Sequence, residues 1–196
     1  MKHTITFLST AVLVSLASPS SMVMANTQQV AFDLTTNLTI SPGYHDFVQN
    51  RYSNSTGIGG WYGVGAGIKF NLDEQTSLTP GVDFMMNELQ ITYYGYSNFT
   101  SSYTNTIFLP KVVGRYQFQP KSPSPFINAE LNYNLPSSDW FSFKSGGIGA
   151  AGMLGYQLND GLRIECGYQY IPVKTGYANT DTVNMGGFVA RAGFSF

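Results

Sequence analysis

Charge is scarce in this chain: aspartate, glutamate, lysine and arginine make up 11% of its 196 residues, less than half the roughly 25% of an ordinary soluble domain. A surface that faces water on every side is not built from so few charges. Those present nearly cancel, with 10 basic against 11 acidic residues, so the basic footprint that nucleic-acid binding needs is missing. Cysteine occurs once, at Cys166, which excludes an intramolecular disulfide. Histidine occurs twice, at His3 and His45, and a single histidine beyond residue 25 with scattered carboxylates has no metal-ligand spacing. Long apolar runs are also lacking: the best, from Ile5 to Leu16, spans about 12 residues, short of the roughly 20 a membrane-spanning helix requires.

That run has a different meaning. Lys2 and His3 precede it, and Val23 and Ala25 stand where a signal peptidase reads small residues, the pattern of a secretory signal. Residues 1–25 are therefore expected to be a signal peptide and 26–196 a single exported domain, short enough to need no division.

What the chain has in quantity is glycine, at 21 residues, and aromatics, at 15%, arranged in alternation. Eight segments alternate with a period of two, near 30–41, 61–71, 77–87, 105–118, 126–135, 147–158, 162–170 and 187–196. In the last, Phe188, Ala190, Ala192, Phe194 and Phe196 share one face, and Val189, Arg191, Gly193 and Ser195 the other. In the second, Tyr62, Val64, Ala66, Ile68 and Phe70 oppose Gly63, Gly65, Gly67 and Lys69. The fourth is less clean, since Ile107, Leu109 and Val113 blur its polar face. Lipid offers no hydrogen-bond partner to an open strand edge, so a spanning sheet must close, with apolar side chains outside and small or polar ones inside.

The charges agree with that parity. Asp33, Lys69, Asp83, Lys111, Arg115, Glu130, Arg163, Glu165 and Arg191 all fall opposite the apolar stripe. Eight strands enclose a space that side chains can fill, so this nearly neutral set is expected to pair across the lumen, Arg115 with Glu130 and Arg163 with acids of neighbouring strands. Cys166 falls on the lipid-facing stripe. Connections at 73–76, 119–125 and 159–161 are short, whereas those at 42–60, 88–104, 136–146 and 171–183 are long. The expected fold is all-β: an eight-stranded antiparallel up-and-down transmembrane β-barrel with short periplasmic turns and longer extracellular loops.

The chain resembles the outer-membrane β-barrel proteins grouped with opacity proteins and OmpA-type transmembrane domains. The residues that carry the likeness are Ile107-Phe108-Leu109-Pro110 leading into Gly114-Arg115-Tyr116, then Pro125-Phe126-Ile127-Asn128-Ala129-Glu130, and the terminal aromatic. The resemblance implies location in the Gram-negative outer membrane, contact with its lipid and lipopolysaccharide, and a C-terminal signature of Phe188, Phe194 and Phe196 presented to the barrel-insertion machinery. It implies no cofactor. The chain stops at the barrel, so a peptidoglycan-binding role through an added periplasmic domain is not expected.

Function is expected in the loops, as a structural or surface-interaction protein with a lumen sealed by charged side chains. Tyr93, Tyr94, Tyr96, Phe99 and Tyr103, with Trp140 and Phe141, mix rigid rings with adaptable hydrogen-bonding neighbours as binding loops do. The same rings suit the interfacial girdle found in every such barrel, and that reading is preferred over a site for host or envelope ligands. The alternative role is a small-solute diffusion pore. An outer-membrane enzyme is disfavoured because His45 and Asp46 have no spacing to a nucleophile, and a soluble lipocalin-like binder because it would put the charged face in water.

Overall fold

The computed structural model describes residues 30–51, 60–93, 99–120, 123–138, 143–158, 161–176 and 182–196. The expected signal peptide and Asn159-Asp160 of the third short turn lie outside them. The elements are β1 (Val30–Ile40), α1 (Pro42–Arg51), β2 (Gly60–Asn71), β3 (Thr76–Tyr93), β4 (Phe99–Gln117), β5 (Ser124–Tyr133), β6 (Leu135–Ser138), β7 (Phe143–Ser145), β8 (Ile148–Gln157), β9 (Leu162–Tyr170), β10 (Pro172–Thr175), β11 (Thr182–Asn184) and β12 (Gly187–Ser195). Antiparallel pairing runs β3-β2-β1-β12-β9-β8-β5-β4, and β4 returns to β3, so the sheet closes into a barrel of eight spanning strands. Closure joins the two ends of the chain: the Phe32 N–H donates to the Phe196 carbonyl at 2.8 Å and the Phe196 N–H to the Phe32 carbonyl at 2.9 Å.

The alternation expected from the sequence is the observed one. Phe32, Leu34, Leu38, Val64, Ile127, Leu131, Leu154, Ile164, Phe188 and Phe194 are exposed on the outer wall, whereas Asp33, Asp83, Arg115, Glu130, Arg163, Glu165 and Arg191 are buried within. Cys166 is exposed on the outer wall. Short turns are tied locally. In the first, Asp73 Oδ1 accepts the N–H groups of Gln75 at 2.7 Å and Thr76 at 2.6 Å, and these two donors hold its carboxyl below the ordinary carboxylate range.

The long connections are more ordered than their composition implies. The expected loop 42–60 opens with α1, whose start is capped: the Tyr44 N–H donates to Ser41 Oγ at 3.4 Å, and Pro42 occupies the first helical position, where its missing N–H costs nothing. The expected loop 88–104 is mostly ladder, since β3 and β4 pair from Thr76↔Tyr116 to Tyr93↔Phe99. The loops 136–146 and 171–183 contain β6, β7, β10 and β11, and β11-β10-β7 forms a separate three-stranded sheet.

Four spanning strands thus break at one level, at Asn134, Gly146-Gly147, Ile171 and Met185-Gly186. Side-chain amides replace the lost ladder there. Asn184 Oδ1 accepts from the N–H of Ile171 at 2.9 Å and of Gly186 at 3.0 Å, and Asn134 Nδ2 donates to the Pro172 carbonyl. A Cβ at Gly146 would collide with the Asn134 carbonyl oxygen, which is why the chain can turn there only without a side chain.

Candidate functional site in the barrel lumen

The lumen is filled by side chains in two tiers. The lower tier, toward the chain termini and short turns, is ionic. Lys111 Nζ lies 2.7 Å from Asp83 Oδ2 and 3.6 Å from Glu130 Oε2. Arg191 closes the ring, with Nη1 at 2.7 Å from Glu130 Oε2 and Nη2 at 3.3 Å from Asp83 Oδ2. Nearer the termini, Arg163 donates to both Asp33 oxygens at 2.6 and 2.7 Å, and Ser195 Oγ donates to Asp33 Oδ1 at 2.6 Å. Such two-point pairing is the strongest geometry available to a guanidinium and a carboxylate.

Arg115 departs from expectation. Its Nε donates to Asn128 Oδ1 at 3.0 Å, its guanidinium sits 4.4 Å from the centroid of the Phe126 ring, and Asn128 Nδ2 donates in turn to Glu165 Oε2. The expected Arg115–Glu130 pair is therefore corrected. Glu130 is taken by Arg191 and Lys111, and its Oε1 accepts from Asn132 Nδ2 at 3.1 Å and Gln169 Nε2 at 3.2 Å. Register explains the difference. Arg115 pairs across the ladder with Asn128, while Glu130 lies opposite Val113, one step nearer the long-loop end. Arg163 pairs not with an acid of a neighbouring strand, as expected, but with Asp33 of β1, one strand beyond its neighbour β12, and Lys69 makes no ion pair within 4 Å among the described residues.

Glycine makes room for these long side chains. A Cβ on Gly65 would collide with Asp83 Oδ1, and one on Gly193 with the guanidinium of Arg163. Among the packed charges is a cavity of about 20 Å³, room for about one water-sized particle.

The upper tier is apolar. Trp61, Met85, Leu89, Ile91, Ile107, Leu109, Ile171, Val173 and Met185 are buried together with Tyr44 and Val48 of α1. Tyr44 and Trp61 stack obliquely, ring centroids 5.3 Å apart, and Asn105 Nδ2 donates to the Tyr44 hydroxyl oxygen at 2.8 Å. Burial raises the Tyr44 phenol above its ordinary range, so it stays neutral. The Ile107 and Leu109 that blurred the fourth segment belong to this second core.

Tyr103, expected on a loop, lies in β4 and packs against the apolar tier. Tyr93 and Phe99 are the last register pair of the β3–β4 ladder. Tyr94, Tyr96, Trp140 and Phe141 lie outside the described residues. Phe188, Phe194 and Phe196 are exposed on the outer wall; Phe188 meets Tyr168 edge-on at 5.6 Å, and Phe196 lies 6.0 Å from Phe194 and 6.1 Å from Phe32. The residues that sequence reasoning missed are those of α1 and the upper core. Two signals mark them: the Ser41-Pro42 cap, and the inversion of polarity after Met85, where apolar side chains turn inward.

A sequence profile described as outer membrane protein β-barrel domain matches residues 9–196. Among solved structures, the fold is similar to that of the outer membrane protein OprG from Pseudomonas aeruginosa, with a TM-score of 0.52 and 12% identity over 86% of this chain and 97% of that one. Ail, the attachment invasion locus protein of Yersinia pestis, solved with the heparin analogue sucrose octasulfate, aligns at a TM-score of 0.38 and 11% identity over 85% of this chain and 96% of that one. No curated protein matches the sequence.

Proposed function

The chain belongs to the outer membrane protein β-barrel domain family and resides in the Gram-negative outer membrane, and on that premise we propose that it is a sealed barrel whose extracellular elements carry its function. One observation supports this most: the lumen is occupied twice over, by the ion-paired ring of Asp83, Lys111, Glu130 and Arg191 and by the apolar core that α1 joins from above. A hydrated solute would have to displace both tiers. The charged residues are then structural, holding neighbouring strands in register, and the partners are lipid, lipopolysaccharide and surface ligands of the envelope or host at the loop end. Phe188, Phe194 and Phe196 act as the mark read by the insertion machinery. No catalytic step is ascribed to the chain: His45 Nδ1 lies 3.5 Å from Asp46 Oδ1, the imidazole half-buried and the carboxylate exposed.

Conductance across a planar bilayer tests the reading, with the Lys111→Ala/Arg115→Ala variant beside wild type. Wild-type protein whose heat-modifiable gel mobility shows it folded should give no discrete steps. Steps in the wild type that change size in the variant would make the protein a diffusion pore with a wet, charge-lined lumen.

A further inference from the structure

The ionic tier does not balance. Five basic and four acidic side chains point inward, and the ring of Lys111, Arg191, Asp83 and Glu130 is neutral within itself. Arg163 and Asp33 neutralise each other. Arg115 and Lys69, the latter half-buried near the end of β2, then remain against Glu165 alone, a surplus of one positive charge on the side of the lumen nearer the termini. A net charge held beside a lipid-facing wall, where water reaches it only in part, is costly to leave uncompensated.

The cavity lies where that surplus is felt. Lys111, Arg115, Arg163 and Arg191 line it, against only Asp33 and Glu165. Both carboxylates are already engaged, Asp33 by Arg163 and Ser195 and Glu165 by Asn128. The guanidiniums are not fully engaged. Arg163 and Arg191 are 1% and 4% exposed, yet Arg163 Nε and Arg191 Nε and Nη2 have no hydrogen-bond partner; the 3.3 Å approach of Nη2 to Asp83 is an ion pair without hydrogen-bond alignment. Asp83 Oδ1 also lacks a partner, but Asp83 does not line the cavity. What the cavity offers is therefore positive charge and spare N–H donors around a space of about 20 Å³.

We propose that this cavity is a binding site for one small monatomic anion, of halide size, which neutralises the lumen and completes the coordination of Arg163 and Arg191. Water would accept such hydrogen bonds but leave the charge in place. A monatomic anion is the choice that matches room for about one water-sized particle.

Protein extracted from outer membranes in detergent supplies the test. Its unfolding midpoint is measured with rising chloride or bromide, ionic strength being held constant with gluconate, for wild type, Arg115→Gln and Lys69→Gln. Wild type should show a saturable rise in midpoint with halide, as expected for a ligand bound only by the folded state, and crystals grown in bromide should show an anomalous peak among Arg115, Arg163 and Arg191. Either glutamine variant brings the interior to neutrality and should lose most of the halide-dependent rise; Lys69→Gln, at a side chain with no ion pair, carries this arm if Arg115→Gln fails to fold. Identical wild-type curves in halide and gluconate, or a halide rise undiminished in every folded variant, would overturn the site.

Discussion

Between Gly81 and Phe84, strand β3 turns Asp83 inward and Val82 and Phe84 outward; between Met85 and Ile91 the same strand buries Met85, Leu89 and Ile91 and leaves Glu88 and Gln90 exposed. β4 makes the same inversion, with Arg115 inward and Tyr116 outward in its lower part and Ile107 inward and Ser102 outward in its upper part. One ladder therefore serves two solvents. Where lipid surrounds the wall, apolar side chains face out and polar groups must satisfy one another inside. Where water surrounds it, the ordinary soluble pattern returns and the interior becomes a hydrophobic core. The polarity switch near Met85 marks the boundary between them, and α1 and the β11-β10-β7 sheet lie on its far side.

The two tiers should fail differently when cut. Glu130→Ala leaves Lys111 and Arg191 sharing Asp83 alone, and breaking a buried ion cluster by removing one partner costs about 3–5 kcal/mol. A large drop in the urea midpoint of the folded barrel should follow. Adding Asp83→Leu, Lys111→Met and Arg191→Leu, which removes all four charges of the ring, should recover much of it, because an apolar replacement of a whole buried ion cluster is often neutral. Recovery would show that the ionic tier is one coupled unit.

In the upper tier, Ile107→Ala leaves a cavity among Trp61, Leu109 and Tyr44 and should cost about 2–5 kcal/mol. Limited proteolysis should then cut within α1, while the spanning strands keep their heat-modifiable mobility. If Ile107→Ala instead unfolds the barrel together with the loop end, the tiers are a single cooperative unit and the comparison falls.

The smallest effect lies at the short-turn end, outside both tiers. The folded carboxyl of Asp73 is held below its ordinary value by the N–H groups of Gln75 and Thr76. Its contribution to stability is therefore present above the unfolded pKa and lost as pH falls through the folded one. Acid unfolding curves of wild type and Asp73→Ala should differ at neutral pH and converge in acid. A constant offset down to the lowest pH would mean that the turn is held by something other than this charge.

These tiers were unequally legible. Inner and outer parity of the strands at lipid depth, the closure of an even number of strands, and the inward direction of all nine lumenal charges are written locally, because side chains alternate every second residue and lipid penalises the wrong face. The upper core was half visible: Ile107 and Leu109 stood out as apolar residues on a polar face, but their meaning depended on knowing that lipid ends near that level. α1 had its Ser41-Pro42 start signal inside a stretch whose polar composition reads as loop. Cys166 needed only parity, and it lies on the outer wall.

Sequence by itself determined the class of protein: a two-residue period in eight segments, and charge too scarce for water that at lipid depth falls on the inner face. Which charges meet was decided only by tertiary structure. Register sets Arg115 beside Asn128, and barrel closure brings Arg163 to Asp33 across 130 residues of chain. Arg191 reaches Glu130 over a separation of 61 residues. The period of two says which way a side chain points; stagger and curvature of the closed sheet say what it finds there.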